Sequence, residues 1–287
     1  GWIAAFCDMQ FGESPIVSVF RDFQSILTHE TRPGIVAVDM PIGLPDRVKG
    51  SGRGPEQAVR PLLGARQSSV FAIPARPAVE AGDYARACAL ALAHSEPPRK
   101  VSRQGFHLFP KIREIDVLLR AEPGLRDRVF EVHPELAFRT MRGVPLDHPK
   151  KIKGVVNPLG MAERRALLQE AGIPFAAAAG RPPRGAAADD LLDALAGLVV
   201  ARHIAAGRGK PFPDPPGRDS HGLPVAIWTF TSPTPPSQDR AMSERPVTRP
   251  MIEEAAARIA GHARVTPVMR LGTGAFDGGD DISLKLE

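Results

Sequence analysis

Cysteine is nearly absent: Cys7 and Cys88 are the two thiols among 287 residues. Two thiols without a C-x-x-C spacing exclude a disulfide framework, a cysteine zinc site and a thioredoxin-type redox pair. They fit a reducing, cytoplasmic setting. Long apolar runs are lacking too, none approaching the roughly 20 residues that cross a bilayer. The first residues carry neither the basic region nor the apolar core of a secretion signal, so no membrane association is expected. Also missing are a P-loop, a G-x-S-x-G elbow and an H-E-x-x-H pair. Kinase, serine-hydrolase and zincin readings lose their support.

What is present is a globular composition, 43% hydrophobic and 24% charged. Gly 27 and Pro 30 together make a fifth of the chain, against a usual share of about 12%, so loops and linkers take an unusual part of it. The formal charge of +5 suits a polyanionic partner such as nucleic acid. That charge is not spread evenly. Residues 231–287 hold 7 Lys/Arg and 8 Asp/Glu, leaving 30 against 24, or +6, for residues 1–230.

Trp2 to Phe6 reads as a strand, and Ile16 to Phe20 as its antiparallel partner across a turn. Gly34 to Asp39 is apolar and β-branched, as a strand buried on both faces would be, and it ends on a carboxylate. From Gly54 to about Arg120 the pattern is helical with Pro-rich breaks, an apparent insertion, with helices expected over 78–94 and 110–120. Arg128 to Val132 returns to strand character, 158–171 is helical by periodicity, and Leu223 to Phe230 is expected as a last strand. The strongest helix spans 186–206, with Leu191, Leu192, Leu195, Leu198 and Val199 on one stripe. Thr231 to Arg240 has linker composition.

Four carboxylates stand where such elements can converge on one sheet edge. Asp39 ends a strand, Glu131 lies in another, and Asp190 and Asp193 are three apart on one helix. Like charges brought together need a cation, and hard oxygen ligands suit Mg²⁺ or Mn²⁺. A pair of such ions can clamp both oxygens of a phosphodiester in cleavage. Each residue also has a plainer use: Asp189 and Asp190 as helix-dipole acids, Asp39 in a Pro turn, Glu131 as an outward-facing strand residue. Lys111, Lys150, Lys151 and Lys153 are candidate phosphate contacts, with a solvated loop as the alternative for the last three. His107, His133 and His148 lack a metal spacing.

These residues resemble a family of predicted nucleases with a ribonuclease-H-like fold, catalogued as a domain of unknown function. The resemblance is carried in order by Gly1-Trp2, the run from Asp39 to Pro45, Arg66 to Phe71, Pro110 to Asp116, Glu131 to Glu135, and Ala188 to Leu195. Asp190-x-x-Asp193-Ala194-Leu195 is also similar to the last helix of Holliday-junction resolvases. The resemblance implies an α/β ribonuclease-H-like mixed sheet with flanking helices over 1–230. It further implies metal-dependent phosphodiester hydrolysis, with Asp39, Glu131, Asp190 and Asp193 as catalytic metal ligands. In the family an Asp-Gly-bearing strand precedes the Gly-Trp, so the first strand and its acid are expected to be missing here.

Residues 242–287 resemble the opening of a pyridoxal-phosphate threonine/serine dehydratase, through Met251 to Ile259, Arg264 to Val268 and Ile282 to Glu287. The sequence stops before the Ser-Phe-Lys segment of such enzymes, so pyridoxal phosphate would belong only to a completed domain. The expected organisation is thus a nuclease-like domain over 1–230, a linker over 231–241 and a short stub of a different fold. Two alternatives stand beside it: a non-catalytic nucleic-acid-binding or scaffold protein of the same fold, and a fragment of a dehydratase fusion.

Overall fold

The computed structural model describes residues 1–7 and 14–231, and beyond them the backbone of two strands. In chain order the strands are β1 (Trp2–Phe6), β2 (Ile16–Phe20), β3 (Val36–Val38), β4 (Val48–Lys49), β5 (Ser95–Glu96), β6 (Val129–Glu131), β7 (Lys151–Ile152), β8 (Val155–Val156), β9 (Gly209–Arg218) and β10 (Pro224–Phe230). The helices are α1 (Phe23–Leu27), α2 (Gly54–Val59), α3 (Arg76–Val79), α4 (Tyr84–Ala93), α5 (Arg103–Ala121), α6 (Pro134–Arg142), α7 (Pro158–Glu170), α8 (Phe175–Ala178) and α9 (Ala188–Ala205). These lie in the first of two units, Gly1–Pro235. The second, Pro236–Glu287, contains β11 (Val268–Leu271) and β12 (Ile282–Lys285), paired antiparallel. The rest of the dehydratase-like segment and the linker fall outside the described residues.

The first unit is mixed α/β. β1 and β2 pair antiparallel with Trp2 opposite Phe20, and β3 and β6 pair parallel with Val38 opposite Glu131. A parallel bridge from Val132 to Trp228 continues β6 toward β10. Between β1 and β3, each paired on its other side, lies a cavity of about 490 Å³ reaching Asp39, Lys111, Asp190 and Asp193.

The predicted α9 packs more completely than a one-stripe helix. Leu191, Leu192, Leu195 and Val199 are buried, and so are Ala196, Val200 and Ala201, because α9 lies against β1 and β3 on one side and α6 and α7 on the other. At Gly197 α9 lies close to the sheet, where a Cβ would stand in ordinary contact with the Ala37 carbonyl oxygen at 3.6 Å. On α5, Phe109, Ile112, Ile115 and Leu119 join Phe23 and Ile26 in a second core, each such side chain worth about 1.5–3 kcal/mol when fully buried.

Several elements differ from the sequence expectation, among them the β7–β8 hairpin in place of a loop. The helix expected over 78–94 is two helices, because Asp83 caps α4 by accepting the Arg86 N–H at 2.9 Å. The helix expected from residue 110 starts at Arg103, capped by Ser102, and carries Pro110 inside at the cost of one backbone bond. β9 was not anticipated, since four of its ten residues are proline. Among the described residues it pairs only with β10, and an edge tolerates a residue without an N–H.

One glycine positions the loop that follows α6. A Cβ on Gly160 would stand 2.1 Å from the Pro149 carbonyl oxygen and 3.2 Å from the Lys150 Cα. Gly160→Ala is therefore expected to push this loop off α7 and to cost about 1–3 kcal/mol, the usual range for overpacking. Urea denaturation compares the two proteins directly.

Candidate functional site

The parallel pairing of β3 and β6 sends both chains out at the same sheet edge. Asp39 follows β3, while His133 follows β6 and leads into α6, whose first turn carries Glu135. The first turns of α9 bring Asp189 and Asp193 to this place. Ligands in open α/β sheets gather outside the carboxyl ends of strands for this reason.

Glu135 is buried, and its Oε1 takes a hydrogen bond from the fully buried Arg164 at 2.5 Å. Arg164 also donates to the carbonyls of His148 and Gly160, at 3.0 and 2.8 Å, so one guanidinium ties α6, α7 and the 147–150 loop together. Lys150, from that loop, hydrogen-bonds Asp193 and lies 3.8 Å from Asp189, while Lys151 reaches Asp189 at 2.7 Å. Asp189 Oδ1, Asp193 Oδ1 and Glu135 Oε2 are buried without a hydrogen-bond partner.

The charges shift one another. Burial pushes the Asp193 carboxyl up to about 7, with Lys150 opposing and Asp39 and Glu135 adding to the rise. Asp39 faces solvent across the cavity, yet the surrounding protein raises its carboxyl above the usual range against the pull of His133, Lys150 and Lys111. Burial opposes the charge on Asp189, but Lys151 and Lys150 hold its carboxyl below the ordinary value. For Lys150 burial is likewise outweighed, here by Asp193, Asp189 and Glu135, which raise its ammonium.

A pH dependence follows for the metal-free protein. Folded Asp193 keeps its proton to about 7, whereas the unfolded chain releases it near 3.8, so its ionisation costs folding stability as pH rises between those values. Asp193→Asn removes that contribution. Urea melts at pH 4.5 and 7.5 are expected to show the variant gaining on the wild type at the higher pH.

Two of the four predicted ligands are engaged elsewhere. Glu131 accepts from Arg53 Nη2 at 2.6 Å and from the Ile42 N–H at 2.7 Å, so both its oxygens serve a buried structural cluster. Arg53 also donates to the Ile42 and Gly43 carbonyls, at 2.8 and 2.9 Å, and to Glu56 at 2.7 Å. Burial pushes the Glu131 carboxyl up to about 7 against the attraction of Arg53. Asp190 is exposed at the cavity rim and accepts the Ala187 N–H at 2.9 Å, the capping use that the sequence also allowed. On α9 it is Asp189, an i,i+4 neighbour of Asp193, that shares its lysine.

Asp39 and Asp193 are brought to one place, together with Lys150 and Lys151, the candidate phosphate contacts of the sequence. Lys111 lies across the same cavity with its ammonium 4.3 Å from the centre of the Trp2 ring. Sequence reasoning missed Glu135, although it stands in the Glu131 to Glu135 motif, and missed Arg53 and Arg164, whose only signal is a basic residue amid loop or helix surface. Among the described residues no three His, Cys, Asp or Glu side chains stand in metal-holding geometry. The donor set itself, hard carboxylate oxygens of which three lack a partner, fits Mg²⁺ or Mn²⁺.

Residues 1–218 match the family model described as "Protein of unknown function (DUF429)". The chain belongs to the DUF429 family. Neither the curated proteins nor the solved structures contain a match to it. The match spans Asp39, Glu135, Lys150, Asp189 and Asp193, so the whole cluster lies within the DUF429 region. No described helix is long and apolar enough to cross a membrane.

Proposed function

We propose that this DUF429 protein is a metal-dependent nuclease of ribonuclease-H-like fold that hydrolyses phosphodiester bonds of DNA or RNA. The observation carrying this reading is the convergence of Asp39, Asp189, Asp193 and Glu135 at the carboxyl ends of two parallel strands, three of them with an unpartnered buried oxygen. Crowded carboxylates repel one another and favour a hard cation. Mg²⁺ or Mn²⁺, singly or as a pair, would supply polarisation of the phosphate and activation of water when bound. Asp39 and Asp193 would hold it, with Asp189 and Glu135 beside them. Glu131 instead holds the loop that carries Asp39, and Asp190 keeps its cap. Lys150, Lys151 and, across the cavity, Lys111 are placed to take phosphate charge.

The finer fold reading is supported by the parallel β3–β6 pair, the β1–β2 hairpin and α9 laid over both. It is also supported by the cavity between β1 and β3, whose facing edges are unpaired among the described residues.

Thermal melts in EDTA, Mg²⁺ and Mn²⁺, with labelled DNA and RNA incubated under the same conditions, test the reading. Stabilisation by metal together with metal-dependent cleavage is the expected result. A melting temperature indifferent to both ions and intact substrates would end the nuclease reading.

One observation favours a second reading, a nucleic-acid-binding protein without catalysis: the Lys150 ammonium already stands among the acids. That protein would bind oligonucleotides while ignoring divalent ions in the melt. The dehydratase reading of residues 242–287 rests on their sequence, and a Ser-Phe-Lys segment in frame beyond Glu287 is its check.

A further inference from the structure

Five of the nine large exposed hydrophobics among the described residues fall within residues 144–159: Val144, Ile152, Val155, Val156 and Leu159. Apolar surface concentrated in this way marks an interaction site more often than apolar surface scattered singly. Its centre is the β7–β8 hairpin, where Ile152 is 55% and Val155 71% exposed, directly opposite each other in register. Lys153 and Gly154 make the two-residue turn with φ of +49° and +82°, the left-handed pair that suits a tight hairpin. The hairpin is thus a formed element with an apolar tip.

Charge chooses its partner. Lys150, Lys151 and Lys153 lie along the same hairpin, which suits a polyanion rather than an apolar protein face. At its root Lys150 and Lys151 are held by Asp193 and Asp189, so phosphates drawing these ammonium groups away would uncover the carboxylates. Aliphatic side chains inserted between bases are an established way to grip and unstack a nucleic acid.

We propose that residues 150–157 form an arm that grips nucleic acid, with Ile152 and Val155 set against a base step and the three lysines on the flanking phosphates. The proposal rests on the nucleic-acid reading of the site and names the element that meets the substrate.

The test uses the full chain and a fluorescent oligonucleotide carrying 2-aminopurine, which brightens when unstacked. Wild type is expected to bind and to raise the 2-aminopurine signal. The double variant Ile152→Ser/Val155→Ser should keep its melting temperature, bind about tenfold more weakly and lose the rise. Lys153→Ala should lower the slope of log affinity against log salt by about one. Val117→Ser, an equally exposed change on α5, should alter nothing. If wild type binds or cleaves nucleic acid and the double variant does so equally well with the same 2-aminopurine signal, the arm is overturned while the nuclease reading stands. If wild type binds no oligonucleotide, with or without Mg²⁺, both fall; if the arm instead captures a second copy of the chain, with the double variant alone losing a dimer, the nucleic-acid assignment is overturned.

Discussion

Asp193→Asn is expected to reduce metal-dependent cleavage more than about 100-fold, the upper end of what losing even an outer partner of a metal site costs. It should also cancel the rise in melting temperature with Mn²⁺. Asparagine keeps the size of the side chain and one acceptor oxygen but carries no charge, so the Lys150 contact and helix packing are little disturbed. In EDTA at pH 7.5 the variant should therefore melt no lower than the wild type, because the buried carboxyl of Asp193 resists ionisation. Activity and stability are expected to move in opposite directions. A variant that loses activity through unfolding moves both down, which parallel activity assays and melts in the same buffer would show.

Arg53→Met should unfold the protein far more readily, by about 3–5 kcal/mol, as the loss of one member of a buried ion cluster does. For a unit of this size that corresponds to a fall in melting temperature on the order of 10 °C. Methionine matches the stem of arginine but leaves Glu56 and Glu131, both buried, without their shared cation. It also strips the Ile42 and Gly43 carbonyls of their donor, which loosens the loop leading from Asp39. Differential scanning calorimetry measures the first effect. Replacing Glu131 and Glu56 by Gln in the Arg53→Met background should recover part of it, since the uncompensated charges are then gone.

The elements that announced themselves in the sequence were those whose apolar pattern had one interpretation. The apolar run of β3 and the leucines of α9 are of this kind, and both stand in the structure. β9 escaped because proline content outweighs any strand signal until a paired neighbour is known. At the site the sequence showed the elements but not the rotation of their side chains. Asp189 and Asp190 are adjacent and chemically alike, and only the competition between capping the Ala187 amide and facing Lys151 separates them. Glu131 fitted a ligand by position, yet a guanidinium 78 residues earlier in the chain claims it. Pairings of that sequence distance leave no local trace. The lysines and acids were each visible, while their meeting depends on Arg164 and Gly160 holding the 147–150 loop against α7.

The prolines of β9 have an effect outside the site. A sheet edge offers a row of amides to any other extended chain, the usual start of edge-to-edge aggregation. Pro211, Pro213, Pro215 and Pro216 remove four amides from β9, and because successive amides of a strand point to alternate sides, the outward-facing row at this border is among those thinned. The strand that closes this unit is thereby a poor template for a neighbour, and molecules crowded together at high concentration are denied a shared sheet along that border.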